Sequence, residues 1–166
     1  MLLVYRIPRE PSLNRVAVWR TLRDLGALYL QDGVATLPED AVTREQLEWL
    51  QLSVRDAGGE ATLWEGRPGT VAEEAELVEA FRSSREEAYR AIIAGALRLR
   101  RKAEMGDGDV LEQLSKLERG FRTERRRDYF HSPLHLEAAG ALKAAREAVR
   151  DREGSAGILG AEEGKD

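Results

Sequence analysis

The sequence contains no cysteine, which excludes disulfide bridges and thiolate metal sites. It also has no apolar run near the roughly 18 residues that a membrane-spanning helix needs. Charged residues make up 34% of the chain and the mean hydropathy is -0.48. These three features predict a cytoplasmic, soluble protein without a membrane partner.

Recognisable catalytic motifs are also missing. There is no Ser-His-Asp set, phosphate-binding Walker loop or dinucleotide fingerprint. His131 and His135 have the spacing of metal ligands, but Pro133 prevents an ordinary helix from running through both. The segment 107–109 (DGD) lacks the ligand series of a calcium loop and predicts an interhelical turn. We therefore expect no catalytic residue, no metal and no cofactor, and a protein that is not an enzyme.

Positive charge is not in excess, because the net charge is -4 at pH 7. This charge argues against a uniformly basic nucleic-acid binder. A local basic face remains compatible with this charge.

The segment around Asp32-Gly33 indicates the centre of a small sheet. Two short runs rich in Val, Tyr, Thr and Leu flank this dipeptide, as in a β-hairpin. Asp-Gly favours a type I′ turn, which requires positive φ at both central residues. The sequence therefore predicts two antiparallel strands on either side of residues 32–33.

The neighbouring segments complete a sheet with two helices. A strand at residues 2–7 precedes a helix that we expect to begin with Ser12 as its N-cap and to end at Gly26. A second helix follows the hairpin, with Thr43 as the expected N-cap, and a fourth strand follows at residues 61–64. The order predicts an α+β protein with a ferredoxin-like β-α-β-β-α-β domain at residues 1–66, both helices lying on one face of an antiparallel sheet.

Residues 70–152 have the apolar spacing of helices and predict an antiparallel three-helix appendage. A break at residues 105–109 separates the first two helices, and Ser132-Pro133 predicts the N-cap and first residue of the last one. The remaining segment, 153–166, is rich in Gly and charge and predicts a mobile tail.

The second helix carries apolar residues on two faces. One face predicts contact with the sheet, whereas Trp49 and Leu52 lie on roughly the opposite side. We therefore expect Trp49 and Leu52 to form an interface, either with the rest of the chain or with a second copy in a homodimer.

Several segments together resemble the N-terminal region of the ChrB family, which is linked to bacterial chromate resistance. They are residues 3–8 (LVYRIP), 15–20 (RVAVWR), 25–34 (LGALYLQDGV), 86–89 (EEAY) and 127–130 (RDYF). The resemblance implies a regulatory or accessory role in chromate-responsive expression.

A more distant similarity links residues 1–66 to the sheet domain of the PaaX-like repressors and to the small nuclease of CRISPR adaptation. The nuclease family places a metal-binding Asp directly after the Tyr of the first strand. Here Arg6 follows Tyr5, and a guanidinium does not bind Mg²⁺. This substitution argues against a nuclease.

Six basic residues on the predicted helices form the candidate binding site. If the helices are antiparallel neighbours, their charges converge and could bind DNA or an oxyanion such as chromate. The alternative is that they are solvated helix ends, favoured by the helix macrodipole. The six are Arg100, Arg101, Lys116, Arg122, Arg125 and Arg126.

A second basic set lies near the first strand and helix: Arg6, Arg9, Arg15 and Arg20. Such residues can hold an anion, or can pair with Asp24 or Glu10 in ordinary surface ion pairs.

The sequence thus predicts a regulatory or accessory protein that binds nucleic acid or an oxyanion through its basic helical face. The alternative is an interaction module that dimerises through the sheet domain and binds no ligand.

Overall fold

The computed structural model describes residues 1–106 and 108–162, with side chains as far as residue 152. The protein is α+β, with a four-stranded antiparallel sheet and five helices in the described part. It divides into two compact units, Met1–Phe81 and Arg82–Asp166. The boundary between them lies within a long helix, and the domain bounds expected from the sequence, 1–66 and 70–152, stay a prediction.

The first unit contains the sheet. Its strands are β1 (Leu2–Arg6), β2 (Leu28–Gln31), β3 (Val34–Thr36) and β4 (Glu60–Trp64). The strand order is β2-β3-β1-β4, so β1 lies between β3 and β4 and pairs with both in antiparallel fashion. The four antiparallel strands predicted from the sequence are therefore confirmed.

Two helices accompany the sheet, α1 (Ser12–Leu25) and α2 (Ala41–Asp56). Helix α2 packs against β1, β4 and α1. Alternate strand residues and one face of each helix form the core of this unit, because both periodicities bring apolar side chains to one side. Among the most deeply buried members are Leu3, Ala35, Leu22, Leu47 and Val54.

The helix starts differ from those predicted. Ser12 is the first residue of α1 rather than its N-cap, and no side chain caps that end. Helix α2 begins one turn earlier than expected, since Asp40 is the N-cap. The Asp40 carboxylate accepts from the Thr43 N–H at 2.7 Å, and Thr43 Oγ1 accepts from the Asp40 N–H at 3.1 Å. Asp40 and Thr43 thus form a capping box, and the predicted role of Thr43 as N-cap is wrong.

The hairpin joins β2 and β3 where predicted, but its turn is of a different type. Among the described residues of this hairpin only Gly33 has a positive φ, of 74°, so the predicted type I′ turn is wrong. A register shift between Tyr29 and Gln31 accommodates the irregular turn. The Gly33 carbonyl accepts from the Tyr5 N–H at 2.7 Å, which fixes the turn against β1.

Gly33 and Gly58 allow a matched test of how closely the β2–β3 turn approaches β1. Both have a φ of 74°, but a Cβ at Gly33 would lie 2.5 Å from the Tyr5 carbonyl oxygen, whereas a Cβ at Gly58 would meet no atom within 4 Å. We expect Gly58→Ala to lower the free energy of unfolding by about 1 kcal/mol, the cost of a left-handed backbone. Gly33→Ala should lower it by about 1–2 kcal/mol more. Equal losses of the free energy of unfolding for the two variants, measured by urea unfolding, would show that the turn adjusts to the added Cβ without further destabilisation.

The second unit is helical. It contains most of α3 (Val71–Glu104), together with α4 (Val110–Arg127) and α5 (Leu134–Glu162). Side chains from all three helices share one core. Arg85 of α3 pairs with Glu124 of α4, and the Tyr89 ring of α3 contacts the Phe121 ring of α4. These contacts show that α3 and α4 run antiparallel. The core residues are Tyr89, Ile92, Ala96, Leu99, Ala103, Val110, Leu114, Ala138, Leu142, Ala145 and Val149.

Helix α5 continues past Arg152, where the sequence places the end of the helical domain, to Glu162. The mobility predicted for residues 153–166 stays a prediction, and residues 163–166 lie outside the described part. None of the described helices is long and apolar enough to cross a membrane.

The two faces of α2 have different surroundings. Leu47, Leu50 and Val54 are buried, as predicted. Trp49 is 65% exposed and Leu52 is 48% exposed. The first unit does not bury these two side chains itself, and the interface predicted for Trp49 and Leu52, with the rest of the chain or with a second copy, stays a prediction.

Candidate nucleic-acid interface

The outer surface of α4 carries a stripe of basic residues. Spacings of three and four bring successive side chains close together along the helix, and all of them are exposed. The set includes four residues of the predicted site and Arg119. We call it the α4 basic stripe: Lys116, Arg119, Arg122, Arg125 and Arg126.

The two acidic residues interleaved with the stripe are occupied elsewhere. Glu118 accepts from Arg146 of α5 at 2.6 and 2.8 Å. Glu124 pairs with Arg85 of α3 at 3.0 Å and with Arg127 at 3.2 Å. Because these carboxylates are already paired, they do little to offset the charge of the stripe.

The stripe itself has no such partners. Among the residues whose side chains are described, none of its five cations forms an ion pair or a side-chain hydrogen bond. The only exposed acid in the first turn of α4, Glu112, precedes the stripe by one turn. The end of α4 is therefore a concentrated positive surface in a chain of net negative charge.

The macrodipole explanation covers only part of the stripe. Arg125 and Arg126 lie in the last turn of α4, where the helix carbonyls attract cations. Lys116 and Arg119 lie at least two turns before the end at Arg127, and the dipole effect fades beyond the last turn. Helix termination thus does not account for the whole pattern.

Arg100 and Arg101 belong to a different location. The Arg85–Glu124 contact aligns the end of α4 with the position of Arg85 on α3. Arg100 is fifteen residues further along α3, or about 22 Å at the helical rise. It also forms an ion pair with Glu104 at 2.8 Å. The structure therefore does not bring these two residues together with Arg125 and Arg126, and Arg101, although exposed, lies at the same distant end.

A buried polar network holds the carboxyl end of α4. Tyr89 of α3 is fully buried and its hydroxyl donates to Asp128 Oδ2 at 3.0 Å. The same carboxylate accepts from the Ser132 N–H at 2.9 and 3.1 Å. Burial, followed by the bond to Asp128, raises the pKa of Tyr89 above its ordinary value. Asp128 thus joins α3 to the segment between α4 and α5.

Ser132 does not cap α5 as predicted. Its hydroxyl is buried and has no hydrogen-bond partner in the described part of the chain. Its backbone instead makes hydrogen bonds on both sides. The Ser132 N–H donates to Asp128, and the Ser132 carbonyl accepts from the His135 N–H at 3.0 Å.

The two histidines have different surroundings. The His135 ring stacks on Phe121 with centroids 5.7 Å apart and meets Tyr89 edge-on. His131 is exposed and has a φ of 55°. Within the described residues no group of three potential metal ligands occurs. His135 therefore has a packing role.

One of the two acidic residues in the turn before α4 also has a structural role. Asp109 is the N-cap of α4, and its Oδ1 accepts from the Glu112 N–H at 3.3 Å. Asp107 lies outside the described residues.

Sequence reasoning missed Tyr89 and Asp128 as a pair. In the structure Tyr89 belongs to the buried series of α3 with Ile92, Ala96 and Leu99. A tyrosine at such a position was a signal, since a buried phenol usually finds a hydrogen-bond partner.

The raised pKa of Tyr89 predicts a loss of stability at alkaline pH. In the unfolded chain tyrosine ionises near pH 10. Since the folded state keeps Tyr89 protonated to higher pH, its contribution is complete below about pH 10 and declines as pH rises above this value. We expect Tyr89→Phe to reduce the slope of stability against pH between about 10 and 11. An unchanged slope in denaturant titrations would contradict this role.

The amino-acid sequence also matches the model of a known protein family. The family described as Protein ChrB, N-terminal, matches residues 15–155. The match includes most of α1, all of α2, the α4 basic stripe and the Tyr89–Asp128 network. No curated protein and no solved structure matches the chain. Because the match spans most of the sequence, the chain belongs to the ChrB N-terminal family.

Proposed function

We propose that this chain is a non-enzymatic regulatory or accessory protein of chromate resistance and that it binds DNA through the α4 basic stripe. Membership of the ChrB N-terminal family supports the regulatory role. The DNA contact is supported by one observation above all. Five exposed cations on α4 have no ion-pair partner in the described part, while the interleaved Glu118 and Glu124 are both paired.

The stripe suits a phosphate backbone better than a single small anion. Its cations extend from residue 116 to residue 126, about 15 Å along the helix. Phosphates of a duplex repeat at short intervals, so a row of arginines can contact several of them. Such contacts give affinity that does not depend on base sequence.

A salt titration with duplex DNA tests this proposal. We expect the triple variant Arg122→Ala, Arg125→Ala, Arg126→Ala to weaken binding at low salt and to flatten the dependence of log K on log salt. Each lost phosphate contact reduces that slope by about 0.9, so three contacts would reduce it by about 2.7. Fluorescence anisotropy with a labelled duplex gives both quantities.

The matched control is Arg100→Ala with Arg101→Ala, which removes basic residues at the distant end of the same unit. We expect the control to change the slope by less than the triple variant does. Equal effects would indicate diffuse attraction rather than a site on α4. A parallel titration with chromate separates the two candidate ligands, since a small oxyanion that bound at the stripe would compete with the duplex.

A second candidate function is an interaction module that forms a homodimer through the sheet domain. The observation that favours it is the exposure of Trp49 and Leu52 on the outer face of α2. Sedimentation of the intact chain and of Trp49→Ala tests it. A monomer at high micromolar concentration would remove this candidate.

We also propose a finer description of the fold. The strand order β2-β3-β1-β4 supports a ferredoxin-like class for the first unit. The shared core of α3, α4 and α5 supports an antiparallel three-helix arrangement for the second.

A further inference from the structure

The first unit contains a cleft of about 800 Å³ that no function discussed above uses. It lies where three segments meet: the carboxyl end of β1, the β2–β3 turn and the start of α1. The bond from the Tyr5 N–H to the Gly33 carbonyl fixes two of these segments together. The volume is in the range of small-molecule sites in proteins.

One part of the cleft is cationic. Arg9 and Arg15 both line it and both are exposed. Among the residues whose side chains are described, neither forms an ion pair, so the expected pairing with Asp24 or Glu10 does not occupy them. Ser12 lies between them in sequence and opens α1, where no side chain caps the backbone N–H groups. Two free guanidiniums beside that helix start suit a phosphate group.

Another part of the cleft is aromatic. Trp19 is 46% exposed and lies on the same side of α1 as Arg15, one turn further along. The Arg23 guanidinium lies 4.7 Å from the Trp19 ring centre and fixes its orientation through a cation–π contact. The half-buried Tyr5 and the exposed Tyr29 line the cleft as well. Exposed rings of this kind provide stacking surfaces for flat ligands.

Among the residues whose side chains the structure describes, Asp32 is the single carboxylate that lines the cleft. It disfavours a ligand that is anionic throughout, because it would repel the negative charge. It favours a ligand with N–H donors, as carboxylates do when they accept from the amino group of a base. The ligand must therefore combine an anion, a flat ring and a hydrogen-bond donor.

We propose that this cleft binds a nucleotide, with the phosphate at Arg9 and Arg15, the base against Trp19 and an amino group of the base at Asp32. The same chemistry occurs in a free mononucleotide and in an unpaired nucleotide of a nucleic-acid strand. The proposal concerns the first unit and stands independently of duplex binding by the α4 basic stripe.

Calorimetric titration of the full chain tests the assignment by separating the parts of the ligand. The probes are AMP, CMP, adenosine, inorganic phosphate and a six-nucleotide single strand. We expect AMP or CMP to bind at least tenfold more tightly than adenosine or phosphate alone. Tighter binding of the single strand than of AMP or CMP would identify unpaired nucleic acid as the source of the nucleotide. Equal binding of the strand and the mononucleotide would identify the free nucleotide.

Variants distinguish the cleft from general charge attraction. Arg15→Ala and Trp19→Ala should each weaken nucleotide binding at least tenfold, whereas Arg20→Ala removes an exposed arginine of α1 that does not line the cleft and should leave it unchanged. Circular dichroism confirms that each variant is folded. The proposal is overturned if no nucleotide or strand binds at millimolar concentration, if phosphate alone binds as well as AMP, or if Arg20→Ala weakens binding as much as Arg15→Ala.

Discussion

Replacement of Asp128 by alanine is expected to destabilise the helical unit by about 3 kcal/mol. The carboxylate accepts from the Tyr89 hydroxyl and from the Ser132 N–H, and both donors are buried. A buried donor left without an acceptor costs about 1–3 kcal/mol. Both donors remain in Asp128→Ala, and Tyr89 is fully buried. The free energy of unfolding from urea titration gives the result.

Two milder variants separate the contributions to this loss. Tyr89→Phe removes one donor together with its bond and leaves the Ser132 contact intact, so we expect a loss of about 1 kcal/mol. Asp128→Asn keeps the shape and one acceptor oxygen and should fall between Tyr89→Phe and Asp128→Ala. The double variant of Tyr89→Phe and Asp128→Ala should cost less than the sum, because both changes remove the same bond. A loss for Asp128→Ala no larger than that for Tyr89→Phe would show that the Ser132 contact contributes nothing.

The elements that sequence predicted well are those set by local patterns. The hairpin at residues 32–33, the buried face of α2 and the break before α4 follow from periodicity and from turn residues. The errors concern choices between neighbouring candidates of similar chemistry. Asp40 and Thr43 can each begin a helix, and only the capping-box geometry decides between them.

The candidate site was predictable in composition but not in arrangement. Counting arginines gives a basic helix, but the distance between Arg100 and Arg125 depends on the alignment of α3 with α4. That alignment is set by contacts between residues far apart in sequence, such as Arg85 with Glu124 and Tyr89 with Phe121. The cleft near Arg9 and Trp19 likewise requires the β2–β3 turn to return to β1, which no local pattern reveals.

The ion pairs of α4 predict a second large loss of stability. Glu124 lies between Arg85 and Arg127, whose side chains are only 14% and 16% exposed. Removing a partner from a largely buried ion pair is costly, because the remaining charges keep their desolvation penalty. We expect Glu124→Ala to lower the free energy of unfolding by about 2–3 kcal/mol, measured by urea titration.

Glu118→Ala is the matched control for this change. Glu118 lies on the same helix and is also paired, but the Arg146 side chain is 59% exposed, so its pair is worth less than about 1 kcal/mol. Each variant removes one carboxylate, so the arginine charge that it balanced now adds to the positive charge beside the α4 basic stripe. If the stripe binds DNA, both should therefore increase duplex affinity to a similar extent at low salt, although their stabilities differ. A stability loss shared equally by the two would contradict the role of burial around Glu124. A gain in affinity for neither would remove the electrostatic basis of the proposed DNA contact.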